Sequence, residues 1–475
     1  MTEMGLSSIR NRHKTRSLTN SRKALGERYP YLARGQDFDT PYQTERSPGY
    51  ANLYSFIRHT LFVGILAGQI GGGMLMKKKL ALILAVLIAI TVLGACGDSK
   101  DSVSSGSAPA SSASPSGTPG FEGTLTIGAL AQVTGANAMN GLQVTQGMQL
   151  ACDQINAQGG VQGLEVLLVV EDTANDTDMA INAANRLLAN ESVVAVVGPQ
   201  QSAQVFAIQE LIKKGNMPLI CAGTNPGIPE LDNENLFSGR ANDLVMARIA
   251  AKYLASLGLK KIAVMTASED FGLGGKEVAV EYFEEIGQDY VIETFNNDDS
   301  DFTGSIIRVK NAGADGIFIW CLNAPYVILA RQLYEQGVDL PVCSNASGIT
   351  STVLALVEIE WLEGWCVVGD FVPSNPEPKI QEFNRVFMEK YDMETDLISG
   401  CYYDMANALI YAMQNLCDDP TDRAAVREAL CKLDGQYTGL IGSYYCDETR
   451  QMMFETGIIQ FQNSEIVFVE KVSLR

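Results

Sequence analysis

The chain has 475 residues, with 55 Asp and Glu against 35 Lys and Arg and a formal net charge of −20 at pH 7. So acidic a protein repels nucleic acid at physiological salt. Its two histidines, His13 and His59, both precede residue 76, so histidine triads and histidine-ligated zinc are excluded from everything that follows.

Residues 1–75 hold ten Lys and Arg against five Asp and Glu, a composition foreign to the rest. The basic run at 10–28 also suits a nucleic-acid tail. The reading adopted is an upstream segment outside the folded protein, with the start at Met74 or Met76. Residues 76–96 read MKKKLALILAVLIAITVLGAC. Three lysines lead an uncharged run, and Gly94 and Ala95 precede Cys96, which is the grammar of an export signal. An uncleaved membrane anchor is the alternative. The stretch resembles a bacterial lipoprotein signal, whose Leu-x-x-Cys lipobox matches Leu93-Gly94-Ala95-Cys96. The resemblance implies that residues 76–95 are removed and that Cys96 is acylated and becomes the first residue. Thirteen basic and five acidic residues precede Cys96, which leaves 22 and 50 after it and a charge near −28.

Residues 96–121 form a Ser/Ala/Pro/Gly tether after the acylated cysteine, with almost no large apolar side chain to bury. Nine further cysteines follow Cys96, none in a CxxC pair, so structural zinc and thioredoxin chemistry are not expected. Exported proteins often pair their thiols. Nine is odd, however, and several lie in apolar runs such as MPLICAG (217–223), where a free thiol acts as a small hydrophobe. The pairing stays open.

From residue 122 short apolar runs alternate with amphipathic stretches. Strands are expected at 124–130, 164–172, 193–198 and 217–223, with helices at 141–160, 177–190 and 202–215 between them. The pattern restarts with a helix at 243–258 and continues through strands at 260–268, 290–295 and 315–322, with helices at 274–287 and 324–337. This β-α-β-α order with apolar strands predicts an α/β fold of two doubly wound parallel-sheet lobes. Ligands bind such sheets beyond the carboxyl ends of the strands. Ser202 is expected to cap the helix that follows the third strand, where its hydroxyl and the free helix N–H groups suit a carboxylate. Cys221-Ala222-Gly223-Thr224 leaves the neighbouring strand beside it.

In this order the residues resemble the type I periplasmic binding proteins, in the leucine/isoleucine/valine-binding class of ABC-transporter receptors. The markers are IGALAQVTGANAMNGLQVTQGMQLACDQINAQGGVQGLEVLLVVEDTAND (127–176), VVAVVGPQQSA (193–203), the Asp270-Phe271-Gly272-x-Gly274 loop and YTGLIGSYYCDETRQ (437–451). The resemblance implies two lobes, 122–239 plus 370–438 and 240–369 plus 439–475, joined by a three-crossing hinge. It implies a receptor and not an enzyme, without cofactor or metal. Its partners would be a small amino acid of branched-chain or related type, an ABC permease and, through the lipid anchor, the outer face of the cell membrane. Ser202, Ala222 and Thr224 match positions that hold the ligand's α-carboxylate and amine, and Phe271 one that covers it. Asn140, Gln200, Asn323 and Tyr402 fall near other pocket positions. One departure stands out. The second-lobe loop that often supplies an acid for the ligand's ammonium reads CSNASGIT (343–350), leaving Asp270 as the substitute or a ligand other than an ordinary α-amino acid. Two alternatives compete. The Phe271–Gly275 run hints at a dinucleotide loop but lacks the full glycine pattern and lies mid-chain. The same fold also serves ligand-sensing receptors, where a small ligand other than an amino acid is possible.

The signal reading makes Cys96→Ser informative. The variant is expected to appear in the soluble fraction or as uncleaved precursor, as read by fractionation and intact mass. Peptides from residues 1–75 in the membrane-bound protein would contradict it.

Overall fold

The computed structural model describes residues 120–473. The expectations for the upstream segment, the signal, Cys96 and the tether up to residue 119 lie outside the described residues. The first sheet grows from β1 (Gly123–Ala131), α1 (Ala138–Ala157), β2 (Leu164–Asp172), α2 (Thr177–Ala189), β3 (Val193–Val197), α3 (Ser202–Lys214), β4 (Leu219–Cys221) and β5 (Leu236–Ser238). Its five strands are all parallel, in the order β2-β1-β3-β4-β5. Every residue of β3 is buried, because helices cover both faces of the sheet. Val194 and Val197 join one core with Val144 and Met148 of α1. Val193 and Val196 join another with Leu187 of α2 and Ile208 of α3. Local chemistry sets the helix starts: Asp176 accepts the Met179 N–H at 2.9 Å and so caps α2, as a short carboxylate at that position favours.

The second sheet is built from α4 (Asp243–Ser256), β6 (Lys261–Ala267), α5 (Asp270–Ile286), β7 (Asp289–Phe295), α6 (Thr303–Asn311), β8 (Gly316–Trp320), α7 (Asn323–Glu335), β9 (Val342–Asn345), α8 (Ser351–Leu354) and β10 (Cys366–Gly369). The chain then returns to the first lobe with α9 (Pro378–Tyr391), α10 (Leu397–Asn415) and α11 (Arg423–Cys431). Arg423 fixes α11 there by donating to the carbonyls of Val193 at 3.0 Å and Asn190 at 3.2 Å. A short ladder of β11 (Tyr437–Thr438) and β12 (Ser443–Tyr444) leads back to β13 (Glu455–Gln462) and β14 (Glu465–Ser473) in the second sheet.

That sheet runs β14-β13-β10-β9-β8-β6-β7. Strands β6 to β10 are parallel, but β13 is antiparallel to β10 and β14 to β13. The expected parallel sheets are present, and this edge adds an antiparallel pair to the second one. A two-residue turn joins β13 to β14, with Asn463 and Ser464 at φ 53° and 62°, and only antiparallel neighbours can be joined so tightly. The nine cysteines after Cys96 are all free thiols, seven of them buried.

The chain passes between the sheets at residues 239–242, 370–377 and 445–454. These crossings are tied together by buried polar groups. Arg240 Nε donates to Asp370 Oδ2 at 2.6 Å, with the two side chains 7% and 0% exposed. Gln451 Nε2 donates to the Arg240 carbonyl at 2.6 Å. Ser238, at the end of β5, donates its N–H to the Arg450 carbonyl at 3.0 Å and accepts the Met452 N–H at 2.9 Å, which lays the third crossing beside the start of the first. Burial raises the Asp370 carboxyl above its ordinary range, against the pull of Arg240. Burial also works against the Arg240 charge, and Asp370 more than restores it.

A second buried carboxylate, Asp404 of α10, holds the turn before the third crossing. Its oxygens accept the N–H groups of Leu440 at 2.7 Å and Ile441 at 2.8 Å. Burial pushes its pKa from 3.8 up to about 6, and those bonds oppose the rise. In Asp404→Asn an NH₂ group must face one of these donors, so a loss of about 1–3 kcal/mol is expected, read as a lower urea midpoint. A raised carboxyl pKa means that the folded state holds the proton first, so stability from this group grows as pH falls from about 6 to about 4. The gap between wild type and variant should therefore widen over that range.

Candidate functional site

The carboxyl ends of both sheets face one narrow cleft with a cavity volume of about 50 Å³. Seven of the eight positions picked from the sequence line it: Asn140, Gln200, Ser202, Ala222, Thr224, Phe271 and Asn323. Tyr402 does not. It lies on α10 in the packed core, 1% exposed, because that helix runs through the interior beside α1 instead of along the cleft rim.

On the first lobe the strand-to-helix turn after β3 carries the main polar feature. Ser202 is the first residue of α3 and not its cap; Gln201 occupies the cap position and makes no side-chain bond to the helix. The leading N–H groups of α3 are therefore left without a side-chain partner, the condition under which a helix start attracts an anion. Ser202 Oγ accepts the Asn225 N–H at 3.2 Å, which leaves the hydroxyl proton free to donate. Ala222 gives its N–H to the Pro199 carbonyl at 3.0 Å, so its own carbonyl is the backbone group it has left to offer.

On the second lobe Phe271 lies in the first turn of α5, a helix where the sequence reading expects a loop. Glu269 forms that turn by accepting the N–H groups of Phe271 at 2.8 Å and Gly272 at 2.9 Å. Phe271 sits 6.0 Å from Trp320, which stacks on Phe318 at 5.1 Å. The glycines here serve close packing. A Cβ on Gly275 would meet the Trp320 ring at 2.1 Å, and one on Gly274 would meet Asn225 and Pro226 of the other lobe at 2.7 Å. That accounts for the run without a dinucleotide.

Asp270 is exposed and does not line the cleft, so it is no substitute for the missing acid. Arg240 is the one charged residue among the lining side chains. Buried carboxyls stand behind the wall. Asp243 is fully buried, and burial lifts it well above the ordinary range while Thr224, Trp320 and Arg240 pull the other way. The sequence reading also misses Gln132, Asn137, Trp320, Asn345 and Ser347. Asn345 and Ser347 belong to CSNASGIT, notable in the sequence only for its lack of an acid. The signal for Arg240 was a single basic residue at the end of the apolar run LFSGRA (236–241).

The lobes touch across the cleft. Asn323 Nδ2 donates to Asn137 Oδ1 at 3.1 Å, Thr352 Oγ1 to Asn140 Oδ1 at 2.5 Å, and Gln143 Nε2 to Ser351 Oγ at 3.2 Å. Neutral bonds of this kind contribute roughly 0.5–1.5 kcal/mol each. Removing two of them with Thr352→Val and Ser351→Ala is expected to shift the ligand-free protein toward open forms, read as a larger radius of gyration by small-angle scattering. An unchanged radius would mean that these bonds do not hold the closure.

Residues 124–465 match the family model described as periplasmic binding protein. An amino acid binding protein of Pseudomonas aeruginosa is 28% identical over 229 residues, 48% of this chain and 61% of that relative. Leu/Ile/Val-binding protein homolog 2 of Brucella abortus is 26% identical over 270 residues, 56% of this chain and 71% of the relative. Among solved structures, the branched-chain amino acid transporter substrate binding protein LivJ of Streptococcus pneumoniae, in complex with isoleucine, superposes with a TM-score of 0.67 at 23% identity. It covers 74% of this chain and 99% of that one.

Proposed function

The chain belongs to the periplasmic binding protein family, a family of ligand-binding proteins and not of enzymes, and on that premise we propose that it captures a small amino acid in the interlobe cleft. It acts as the extracytoplasmic receptor of an ABC importer, tethered to the membrane through acylated Cys96, and delivers its ligand to a permease. The observation that carries this reading is the uncapped start of α3 opening on the cleft, with the Ser202 hydroxyl free to donate beside it. A ligand α-carboxylate fits there, held by helix N–H groups and by the hydroxyls of Ser202 and Thr224. The Ala222 carbonyl and the amide oxygens of the wall are acceptors for the ammonium. Phe271 covers the ligand from the second lobe. Closure removes water and strengthens each of these bonds. The relatives named for leucine, isoleucine and valine support amino acids as the ligand pool, with branched-chain ones as first candidates.

Titration calorimetry tests the reading with L-leucine, L-isoleucine, L-valine, L-glutamine and L-glutamate. At least one should bind, and its α-carboxamide should bind far more weakly. Hydrogen bonds to a charged group contribute roughly 1.5–3 kcal/mol, so Ser202→Ala and Thr224→Ala should each weaken binding about ten- to a hundredfold. Full affinity in both variants would remove the carboxylate from this position.

A further inference from the structure

We propose that Arg240 reads the ligand's side chain, and that the ligand is an amino acid whose side chain ends in an oxygen acceptor, a carboxylate or a carboxamide. The inference rests on the amino-acid reading above and narrows it. Arg240 lines the cleft and is 6% exposed. Its Nε is committed to Asp370, but its Nη2 is buried with no hydrogen-bond partner. A buried guanidinium N–H without an acceptor is costly, and native structures rarely leave one so. Gln132, another lining residue and 3% exposed, has a buried Oε1 that also lacks a partner. The wall residues thus carry two unsatisfied donors, Arg240 Nη2 and Trp320 Nε1, and one unsatisfied acceptor, Gln132 Oε1; of the donors only Arg240 carries a charge.

The rest of the wall agrees. The amides of Asn137, Asn140, Asn323 and Asn345 line it as well. These amides make the wall polar but are already paired, Asn323 with Asn137, Asn140 with Thr352 and Asn345 with Ser347, so the buried wall groups left for a ligand to satisfy are Arg240 Nη2, Trp320 Nε1 and Gln132 Oε1. An acceptor oxygen on the ligand satisfies Nη2, and a ligand N–H satisfies Gln132. The position of Arg240 matters too. It sits in the first crossing between the lobes and is tied to the other two through Asp370 and Gln451. A side chain gripped there is gripped at the hinge. Sites that hydrogen-bond a ligand's polar group reject analogues lacking it much more strongly than apolar sites reject an extra methylene.

The test is calorimetry with L-glutamate, L-glutamine, L-leucine and L-isoleucine on wild type and two variants. Arg240→Lys keeps a charge beside Asp370 and removes Nη2. Arg240→Met combined with Asp370→Asn removes both charges, so that neither partner is left buried alone. Thermal melting checks that each is folded. Wild type should bind glutamate or glutamine more tightly than leucine, and both variants should lose about ten- to a hundredfold for that ligand while leucine changes less than about threefold. Equal losses for all four would overturn the proposal, since Arg240 would then act on the α-carboxylate or on the hinge alone. Tight binding of leucine or isoleucine with neither glutamate nor glutamine bound would also overturn it and leave the amino-acid reading standing. Wild type that binds none of the four overturns this proposal, and failure to bind L-valine as well overturns both.

Discussion

The ion pair of Arg240 and Asp370 is the constraint on which the rest of this structure turns. It joins the first crossing between the lobes to the second, and Gln451 joins the third to the first through the Arg240 carbonyl. Neither charge has water to fall back on, since both side chains are nearly or wholly buried. Pairing in such a place yields little net stability over an apolar replacement, yet removing one partner is strongly destabilising. The pair therefore fixes register more than it adds free energy. It sets where three chain segments meet, and so where the two sheets stand when the cleft is shut.

The cleft inherits its chemistry from that arrangement. Each sheet turns the carboxyl ends of its parallel strands toward the other, which brings helix starts to the cleft from both sides. These starts are treated differently. Glu269 occupies the free N–H groups at the head of α5 with its own carboxylate. Gln201 leaves those of α3 without a side-chain partner. One helix is closed by its own sequence and the other is left open to a ligand anion. Small residues allow the close approach, as Gly274 and Gly275 do between the second-lobe aromatics and Asn225 of the first lobe.

The interlobe bonds divide the labour. Amides and hydroxyls such as Asn137, Asn140 and Thr352 bridge the rims with neutral, individually weak bonds, the kind that opening can exchange for water. The charged and fully buried groups sit at the hinge and within each lobe. Asp404, which holds the turn at Leu440 and Ile441, belongs to the latter class.

The fold was legible in the sequence where local pattern decides it. Apolar runs such as VVAVV and GIFIW must be buried on both faces, and that alone requires parallel strands with helices above and below. The Ser202 turn followed from the same logic, because the end of a parallel strand is where a ligand can reach the backbone, whereas Ala222 and Thr224 were singled out by the family resemblance. The antiparallel edge at β13 and β14 was not legible, since a short apolar alternation carries no strand direction. Tyr402 was misplaced because an amphipathic stretch does not say which neighbour its helix packs against. Arg240 was missed for the deeper reason. Its meaning depends on Asp370, 130 residues away, and on a guanidinium nitrogen left without a partner inside a cleft. The sequence by itself determined which segments are strands, which are helices, and at which strand ends a site could form. Only the tertiary structure decided which polar groups meet there, because burial and pairing are set by segments far apart in the chain.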